Sequence, residues 1–152
     1  MTASTLTPAP VSLAGAIIEN PALGLLLQLR DDIAPTHPHH WGLFGGHMEM
    51  GESPDVAVWR ELAEELQLMP QMVSAWQLGQ EFPHASGGRV YIYYVTTDAT
   101  LDDLVLGEGE AMHYAPIADL NLPHAYLGHP FAALTARALQ TYLTSKASQG
   151  SV

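Results

Sequence analysis

The stretch GGHMEMGESPDVAVWRELAEELQL, residues 45–68, decides the fold of this chain. Within it, Ser53, Pro54 and Asp55 supply a capping hydroxyl, a proline at the first helical position and an early carboxylate. A helix N-terminus prefers these three residue types in this order. We therefore predict a helix that begins at Ser53.

This predicted helix separates apolar from acidic residues. At about 100° per residue, one side collects apolar side chains, and Glu61, Glu64 and Glu65 fall nearly opposite. The apolar side consists of Val56, Trp59, Leu62, Ala63 and Leu66. Three carboxylates on one face repel one another unless solvent or a cation screens them. Mg²⁺ is a fitting partner, because it takes hard oxygen ligands and shares its shell with substrate phosphates.

Two β-hairpins and a second helix are predicted around this segment. Residues 11–19 and 23–30 are apolar β-like runs joined through the turn pair Asn20-Pro21, and residues 72–82 and 89–97 form a similar pair. Residues 130–143 carry apolar side chains at helical spacing, which predicts a C-terminal amphipathic helix.

Length and charge restrict the class of protein. A chain of 152 residues without cysteine predicts one domain, residues 11–145, between flexible tails at 1–10 and 146–152. The net charge of −11 opposes binding to nucleic acid or to anionic membranes, so we expect neither as a partner. No secretory signal is visible, which favours the cytoplasm. A phosphorylated substrate would need a divalent cation between it and these carboxylates.

One combination of spaced residues resembles a known family. Gly46, Glu52 six residues later, the run Arg60-Glu61-Leu62-Ala63-Glu64-Glu65 and apolar Leu68 match the Nudix box, G-x5-E-x7-R-E-U-x-E-E-x-G-U, in which U is bulky and apolar. One fixed position differs, because Gln67 replaces the second glycine. Glycine at that place supplies a left-handed helix end, so either Gln67 adopts this conformation at a cost or the helix continues.

The Nudix resemblance implies an α/β fold, an α/β/α sandwich with a mixed β-sheet. It implies that Glu61, Glu64 and Glu65 bind Mg²⁺, with Mn²⁺ as an alternative, and that a backbone carbonyl near Gly45 adds a ligand. It also implies a structural ion pair between Glu52 and Arg60. The implied reaction is hydrolysis of a phosphoanhydride bond in a nucleoside-diphosphate-linked substrate, and some relatives form homodimers.

Residues outside the box are candidates for catalysis and substrate binding. Glu108, in a glycine-flanked loop similar to that of MutT-type relatives, is the candidate catalytic base, with Glu110 as the alternative. Only five basic residues exist, so Arg30 and Arg89 are candidate phosphate or base contacts, against the alternative that they are solvated strand ends. Gly46 allows close approach of a substrate.

Several alternatives stay open. A MutT-like nucleoside triphosphate is the first substrate expectation, and ADP-ribose or a nucleotide sugar is the second. A non-catalytic nucleotide-binding module is disfavoured because every box glutamate is retained. Trp41 either stacks on a base or packs under the loop. The crowded His37, His39 and His40 favour a solvated loop over a zinc site.

Overall fold

The computed structural model describes residues 9–150, which form one mixed sheet between two helices. The strands are β1 (Leu13–Asn20), β2 (Gly24–Leu29), β3 (Trp41–Gly42), β4 (Phe44–His47), β5 (Val73–Pro83), β6 (Arg89–Thr97) and β7 (Ala111–Ala115). The helices are α1 (Pro54–Leu66) and α2 (Ala133–Gly150), with 3₁₀ turns at Pro70–Met72, Leu101–Asp103 and Ile117–Asp119. Both predicted hairpins are present, as β1–β2 and β5–β6. Strands β3, β4 and β7 were not predicted, because they are too short to show a period.

Strand β1 lies at the centre of the sheet. The order is β3-β2-β1-β6-β5, with β4 also paired to β1 and β7 to β2. Strands β1 and β6 run parallel, and the other pairs run antiparallel. Residues 13–16 of β1 therefore pair with β6 on one side and with β4 on the other, which places the Gly45-Gly46 segment beside the middle of the sheet.

Two apolar clusters fill the two faces of this sheet. The first joins Leu62 and Leu66 of α1 to sheet residues such as Ile18 and Phe44. The second joins Leu139 of α2 to residues such as Ile17 and Ile92. Because β-strand side chains alternate between faces, neighbouring residues of β1 serve opposite clusters. The α/β/α sandwich with a mixed sheet is confirmed.

Helix α1 begins and ends as the sequence allows. Its N-cap is Ser53, whose hydroxyl accepts a 3.3 Å hydrogen bond from the Val56 amide. At the other end Gln67 adopts the left-handed conformation, with φ 54° and ψ 33°. Its amide donates to Ala63 O, and the Leu68 amide donates to Leu62 O. Gln67 thus closes the helix as glycine would, and a non-glycine side chain there costs about 1 kcal/mol.

The predicted apolar side of α1 is right for Leu62 and Leu66 but wrong for Val56, and the predicted acidic side is wrong for Glu65. Val56 is 58% exposed, whereas Ala57 and Val58 are buried with Leu62 and Leu66. The buried face is therefore centred roughly 180° from Val56, and it includes Glu65. The sequence pattern failed because the short Ala57 and the acidic Glu65 are unusual members of a packing face.

Helix α2 extends beyond its predicted end at residue 143. It continues to Gly150, and Lys146 lies 3.0 Å from the buried Glu19 carboxylate, which also accepts a hydrogen bond from the Tyr142 hydroxyl. This pairing ties Lys146, predicted as part of a tail, to the folded domain, and residues 147–150 continue the same helix. The predicted tail 1–10 lies outside the described residues except for Ala9 and Pro10, as do residues 151–152. Among residues 9–150, neither helix is long and apolar enough to cross a membrane.

Candidate active site

The most buried acidic side chain of α1, that of Glu65, is hydrogen-bonded to the glycine segment Gly45-Gly46. Glu65 is only 5% exposed, and its Oε1 atom accepts a 2.8 Å hydrogen bond from the Gly45 amide. Gly45 has φ +143°, and a Cβ atom there would lie 2.4 Å from Ala14 O. Only glycine fits between β1 and the carboxylate. The structure thus places the Gly45 amide against the Glu65 carboxylate. That a backbone carbonyl near Gly45 is a metal ligand stays a prediction.

The charge of Glu65 is strongly disfavoured in its surroundings. Burial raises the pKa of Glu65 to about 9, and the neighbouring carboxyl of Glu108 adds to the effect by hydrogen bonding and by repulsion. The Gly45 amide acts in the opposite direction, since it stabilises the carboxylate, but it is the weaker influence. The raised pKa means that the Glu65 carboxyl keeps its proton at neutral pH unless a cation compensates its charge.

Glu61 is the second carboxylate that faces the glycines. A Cβ atom on Gly46 would lie 2.8 Å from the Glu61 carboxyl group, so the absence of a side chain at Gly46 makes room for it. Burial raises the pKa of Glu61, and the nearby Arg60 guanidinium partly counters this shift. Gly45 and Gly46 thus each accommodate one glutamate of α1.

Arg60 links the loop before α1 to the helix. Its Nε atom lies 2.6 Å from Glu52 Oε2, its Nη2 atom donates to His47 O at 3.2 Å, and its Nη1 atom donates to Glu61 Oε1 at 2.9 Å. The Arg60 guanidinium holds the pKa of Glu52 down at about 2. Glu52 and Arg60 therefore lie together as an ion pair, and Arg60 also orients Glu61.

Glu64 is placed differently from the other two box glutamates. Its side chain is 60% exposed, and its Oε2 atom lies 3.6 Å from Arg60 Nη1. It is absent from the described wall of the cleft that Glu61 and Glu65 line. The structure therefore brings Glu61, Glu65 and Glu108 together and leaves Glu64 at the margin.

The Glu108 loop is held by backbone contacts on both sides. The Gly107 amide donates to Glu65 O at 2.7 Å, and the Gln28 side-chain amide donates to Glu108 O at 2.8 Å. A Cβ atom on Gly107 would lie 2.6 Å from Glu64 O, so this close approach requires glycine. Glu110 lies apart, with its carboxylate 3.5 Å from His39 Nδ1. The loop therefore brings Glu108, and not Glu110, to the carboxylates of α1.

These side chains line a cleft of about 950 Å³. Arg30 also lines it, and its Nε atom donates to Thr36 O at 2.7 Å. Arg89 is outside the described wall of this cleft and pairs with Glu81 at 3.2 Å, so a substrate contact by Arg89 finds no support in this geometry. Trp41 packs in the core and donates its indole N–H to Tyr126 O, which resolves its two alternatives in favour of packing.

The sequence predicted no functional role for several residues that line the cleft. Thr135, at the start of α2, lines the cleft although no motif contains it. His37, His47 and His84 also line the cleft, but their spacing in the sequence gave no reason to group them. The folding of distant loops and of α2 around β1 brings them together, and no local pattern signals it.

The donor atoms of the cleft fit a hard divalent cation. Within the part of the chain that the structure describes, no three His, Asp or Glu side chains are already grouped as metal ligands. The carboxyls of Glu61, Glu65 and Glu108 nevertheless face one cleft, and burial raises the pKa of Glu61 and Glu65. Mg²⁺ and Mn²⁺ prefer carboxylate oxygen ligands. Either cation would therefore stabilise the negative charge of these crowded carboxylates.

Known proteins share both the sequence pattern and the fold. Residues 10–135 match the family profile of the NUDIX domain. The nucleoside triphosphatase NudI of Escherichia coli is 33% identical over 89 residues, which cover 54% of this chain and 62% of that protein. The chain thus spans less than two thirds of this relative's length.

Solved structures extend the likeness to the fold. A MutT NUDIX hydrolase from Burkholderia pseudomallei is 25% identical, with a TM-score of 0.64 over 88% of this chain and 98% of the other. A bifunctional NMN adenylyltransferase/ADP ribose pyrophosphatase from Francisella tularensis is 14% identical, with a TM-score of 0.71 over 93% of this chain and 42% of the other. Since the NUDIX profile spans most of the chain, and Glu61 and Glu65 of the box lie beside Gly45 and Gly46, this chain belongs to the Nudix hydrolase family.

Proposed function

We propose that this protein is a Mg²⁺-dependent hydrolase that cleaves a phosphoanhydride bond in a nucleoside-diphosphate-linked substrate. The convergence of Glu61, Glu65 and Glu108 on one cleft beside Gly45 and Gly46 carries this proposal. A cleft of about 950 Å³ is within the size range of small-molecule sites. Family membership supports the same reaction class.

The carboxylates of Glu61, Glu65 and Glu64 would hold the cation. When bound, the cation would neutralise phosphate charge and lower the pKa of water. The position of Glu64 supports a role as cation ligand less than the positions of Glu61 and Glu65 do, because the Glu64 carboxylate lies beside Arg60 at the cleft margin. Glu52 and Arg60 act by position, since their pair fixes the loop and orients Glu61.

Glu108 is the proposed general base. Its carboxyl is near enough to raise the pKa of Glu65, both residues line one cleft, and its backbone carbonyl accepts a hydrogen bond from Gln28, so it is close to the proposed cation ligands without being part of the helix. A general base must reach the proton of the attacking water, and Glu108 alone of the two loop glutamates lines the cleft. Arg30, also in the wall, is the proposed phosphate contact.

A nucleoside triphosphate is the first proposed substrate. The support is the likeness to a protein named as a nucleoside triphosphatase, at 33% identity over 89 residues. ADP-ribose or a nucleotide sugar is the second candidate, because a structure described as an ADP ribose pyrophosphatase shares the fold. The box residues act on the diphosphate in either case, so the remaining cleft walls decide between them.

A nucleotide panel tests the proposal. Nucleoside triphosphates, ADP-ribose and nucleotide sugars would be incubated with protein and Mg²⁺, Mn²⁺ or a chelator, and the products would be identified by chromatography. We expect a nucleoside monophosphate as product only with the divalent cation. Binding without cleavage would favour the non-catalytic module. The homodimer, the cytoplasmic location and the absence of nucleic-acid and membrane partners stay predictions.

A further inference from the structure

A polar side chain interrupts the leucines of strand β2. Leu25, Leu26, Leu27 and Leu29 are buried, and Gln28 between them is only 4% exposed. A buried side-chain amide costs free energy unless it is hydrogen-bonded. Because side chains alternate along a strand, Gln28 shares with Leu26 the face of the sheet on which α1 packs. A polar side chain at this place therefore needs a specific partner.

The partner of Gln28 is the loop that carries Glu108. The Nε2 atom of Gln28 donates a 2.8 Å hydrogen bond to Glu108 O. The loop also fits closely around this side chain, because Gly109 has φ +94° and a Cβ atom there would lie 2.9 Å from Gln28 Cγ. Glycine thus lets the loop backbone bend over Gln28. Two contacts, one polar and one steric, therefore join a side chain of β2 to the backbone of the Glu108 loop.

Two backbone hydrogen bonds hold the ends of this loop. The Gly107 amide donates to Glu65 O at 2.7 Å, and the Glu110 amide donates to Leu29 O at 2.8 Å. One end of the loop is thereby fixed to α1 and the other to β2. The Gln28 contact lies between these two ends, at the residue whose carboxyl faces the cleft.

Two open spaces border Glu108. It lines the cleft of about 950 Å³ and also a second cavity of about 430 Å³. Gln28, Gly107 and Gly109 line the second cavity as well. A backbone segment beside open space is held by its hydrogen bonds more than by packing. Loss of the Gln28 bond would therefore leave room for the Glu108 backbone to move.

We propose that Gln28 is a positioning residue, whose side-chain amide holds the Glu108 backbone so that the Glu108 carboxyl stays beside those of Glu61 and Glu65. Gln28 acts through Glu108, because its bond is to a backbone carbonyl and not to a reacting group. A misplacement of about 1 Å at a catalytic group can lower the rate about 100-fold. The inference rests on the proposed function, in which Glu108 is the general base.

Amide hydrogen exchange tests the attachment without metal or substrate. Gln28→Met keeps the length of the side chain but removes the donor. In chelator, the amides of Gly107 and Glu110 should exchange at least about fivefold faster relative to those of β1, the factor of one neutral hydrogen bond. Gln80→Met is the matched control, because Gln80 Nε2 also donates a 2.8 Å bond to a backbone carbonyl, that of Ala138. Unchanged exchange of the loop amides in Gln28→Met would overturn the proposal.

A double-variant cycle tests the effect on catalysis. With Mg²⁺ and a cleaved nucleotide, Gln28→Met should lower kcat at least about fivefold with little change in KM, since it displaces the base and leaves the cleft walls in place. In a Glu108→Gln background the same change should have no further effect, because the carboxylate that it displaces is already absent. Gln80→Met should leave kcat unchanged in both backgrounds. Full kcat in Gln28→Met, or additive losses in the double variant, would overturn the proposal.

Failure of this inference can be distinguished from failure of the proposed function. If Glu108→Gln lowers kcat and Gln28→Met does not, the inference fails alone. If no nucleotide is cleaved, or if Glu108→Gln keeps full kcat, the proposed function fails, and the exchange rates still decide whether Gln28 holds the loop. If Gln28→Met does not fold, Gln28→Asn replaces it in both experiments, because it keeps the amide but is one methylene too short for the 2.8 Å bond.

Discussion

The Gly45 amide donates a 2.8 Å hydrogen bond to Glu65 Oε1, and so joins strand β4 to helix α1 at the floor of the cleft. Gly45 must lack a side chain because β1 lies directly behind it. Glu65 must be buried because its helix packs on the same sheet. The bond therefore couples the shape of the glycine segment to the charge of the proposed metal site.

The first prediction concerns the proposed metal ligands. Glu65→Gln should lower kcat by about 100-fold or more, since a charged ligand of the cation is lost while the shape is kept. Glu64→Gln should also lower kcat. Glu81→Gln, which lies on the surface beside Arg89, is the matched control and should keep full activity. Near-normal turnover of both the Glu64 and the Glu65 variants would reject the assignment.

The second prediction concerns the protonation of Glu65. Its pKa is raised from 4.5 to about 9, so between these values the folded protein keeps a proton that the unfolded chain has lost. Stability in chelator should therefore decrease as pH rises through this window, and less so in Glu65→Gln, which stays neutral. Urea unfolding at about pH 6 and about pH 8.5 measures the difference. Parallel pH profiles for the two proteins would contradict the raised pKa.

The third prediction concerns the Glu52–Arg60 pair. Glu52→Gln and Arg60→Met should each lower the melting temperature, because each leaves the other member without its 2.6 Å partner. The double variant should lose less than the sum of the two single changes. A thermal denaturation cycle measures this coupling. Strictly additive losses would show that the contact contributes no coupling in solution.

The fourth prediction concerns acid stability. The pKa of Glu52 is lowered from 4.5 to about 2. A carboxylate with a depressed pKa contributes stability that is fully present above the unfolded value and is lost as pH falls through the folded value. Wild type should therefore exceed Glu52→Gln in stability at neutral pH, and the gap should close between about pH 4.5 and about pH 2. A gap of constant size across this range would count against the ion pair as its source.

The fifth prediction separates the two loop glutamates. Glu108→Gln should lower kcat substantially with little change in KM, since a base acts in the transition state and not in substrate binding. Glu110→Gln is its matched control, because Glu110 lies in the same loop but its carboxylate faces His39. Small and equal effects of both changes on kcat would return the role of base to a residue of α1 or to metal-bound hydroxide.

The sequence by itself determined the elements whose signals are local. Ser53 and Pro54 set the start of α1, and the two hairpins followed from alternating apolar residues. The spacing of the whole box, from Gly46 to Leu68, was sufficient to predict the family, and the resemblance to that family implied the pair of Glu52 and Arg60. These features were predictable because capping, alternation and box spacing act over a few residues.

Only the tertiary structure decided which side chains meet in the cleft. The helical period placed Glu65 on a solvent face, but packing of α1 on the sheet buries it against Gly45. Glu108 lines the cleft from a distant loop, and Thr135 lines it from α2. Arg89 instead forms an ion pair with Glu81. Long-range contacts set these positions, and burial sets the pKa of Glu65. Burial depends on which distant parts of the chain pack together and exclude water, and no short stretch of sequence encodes this packing.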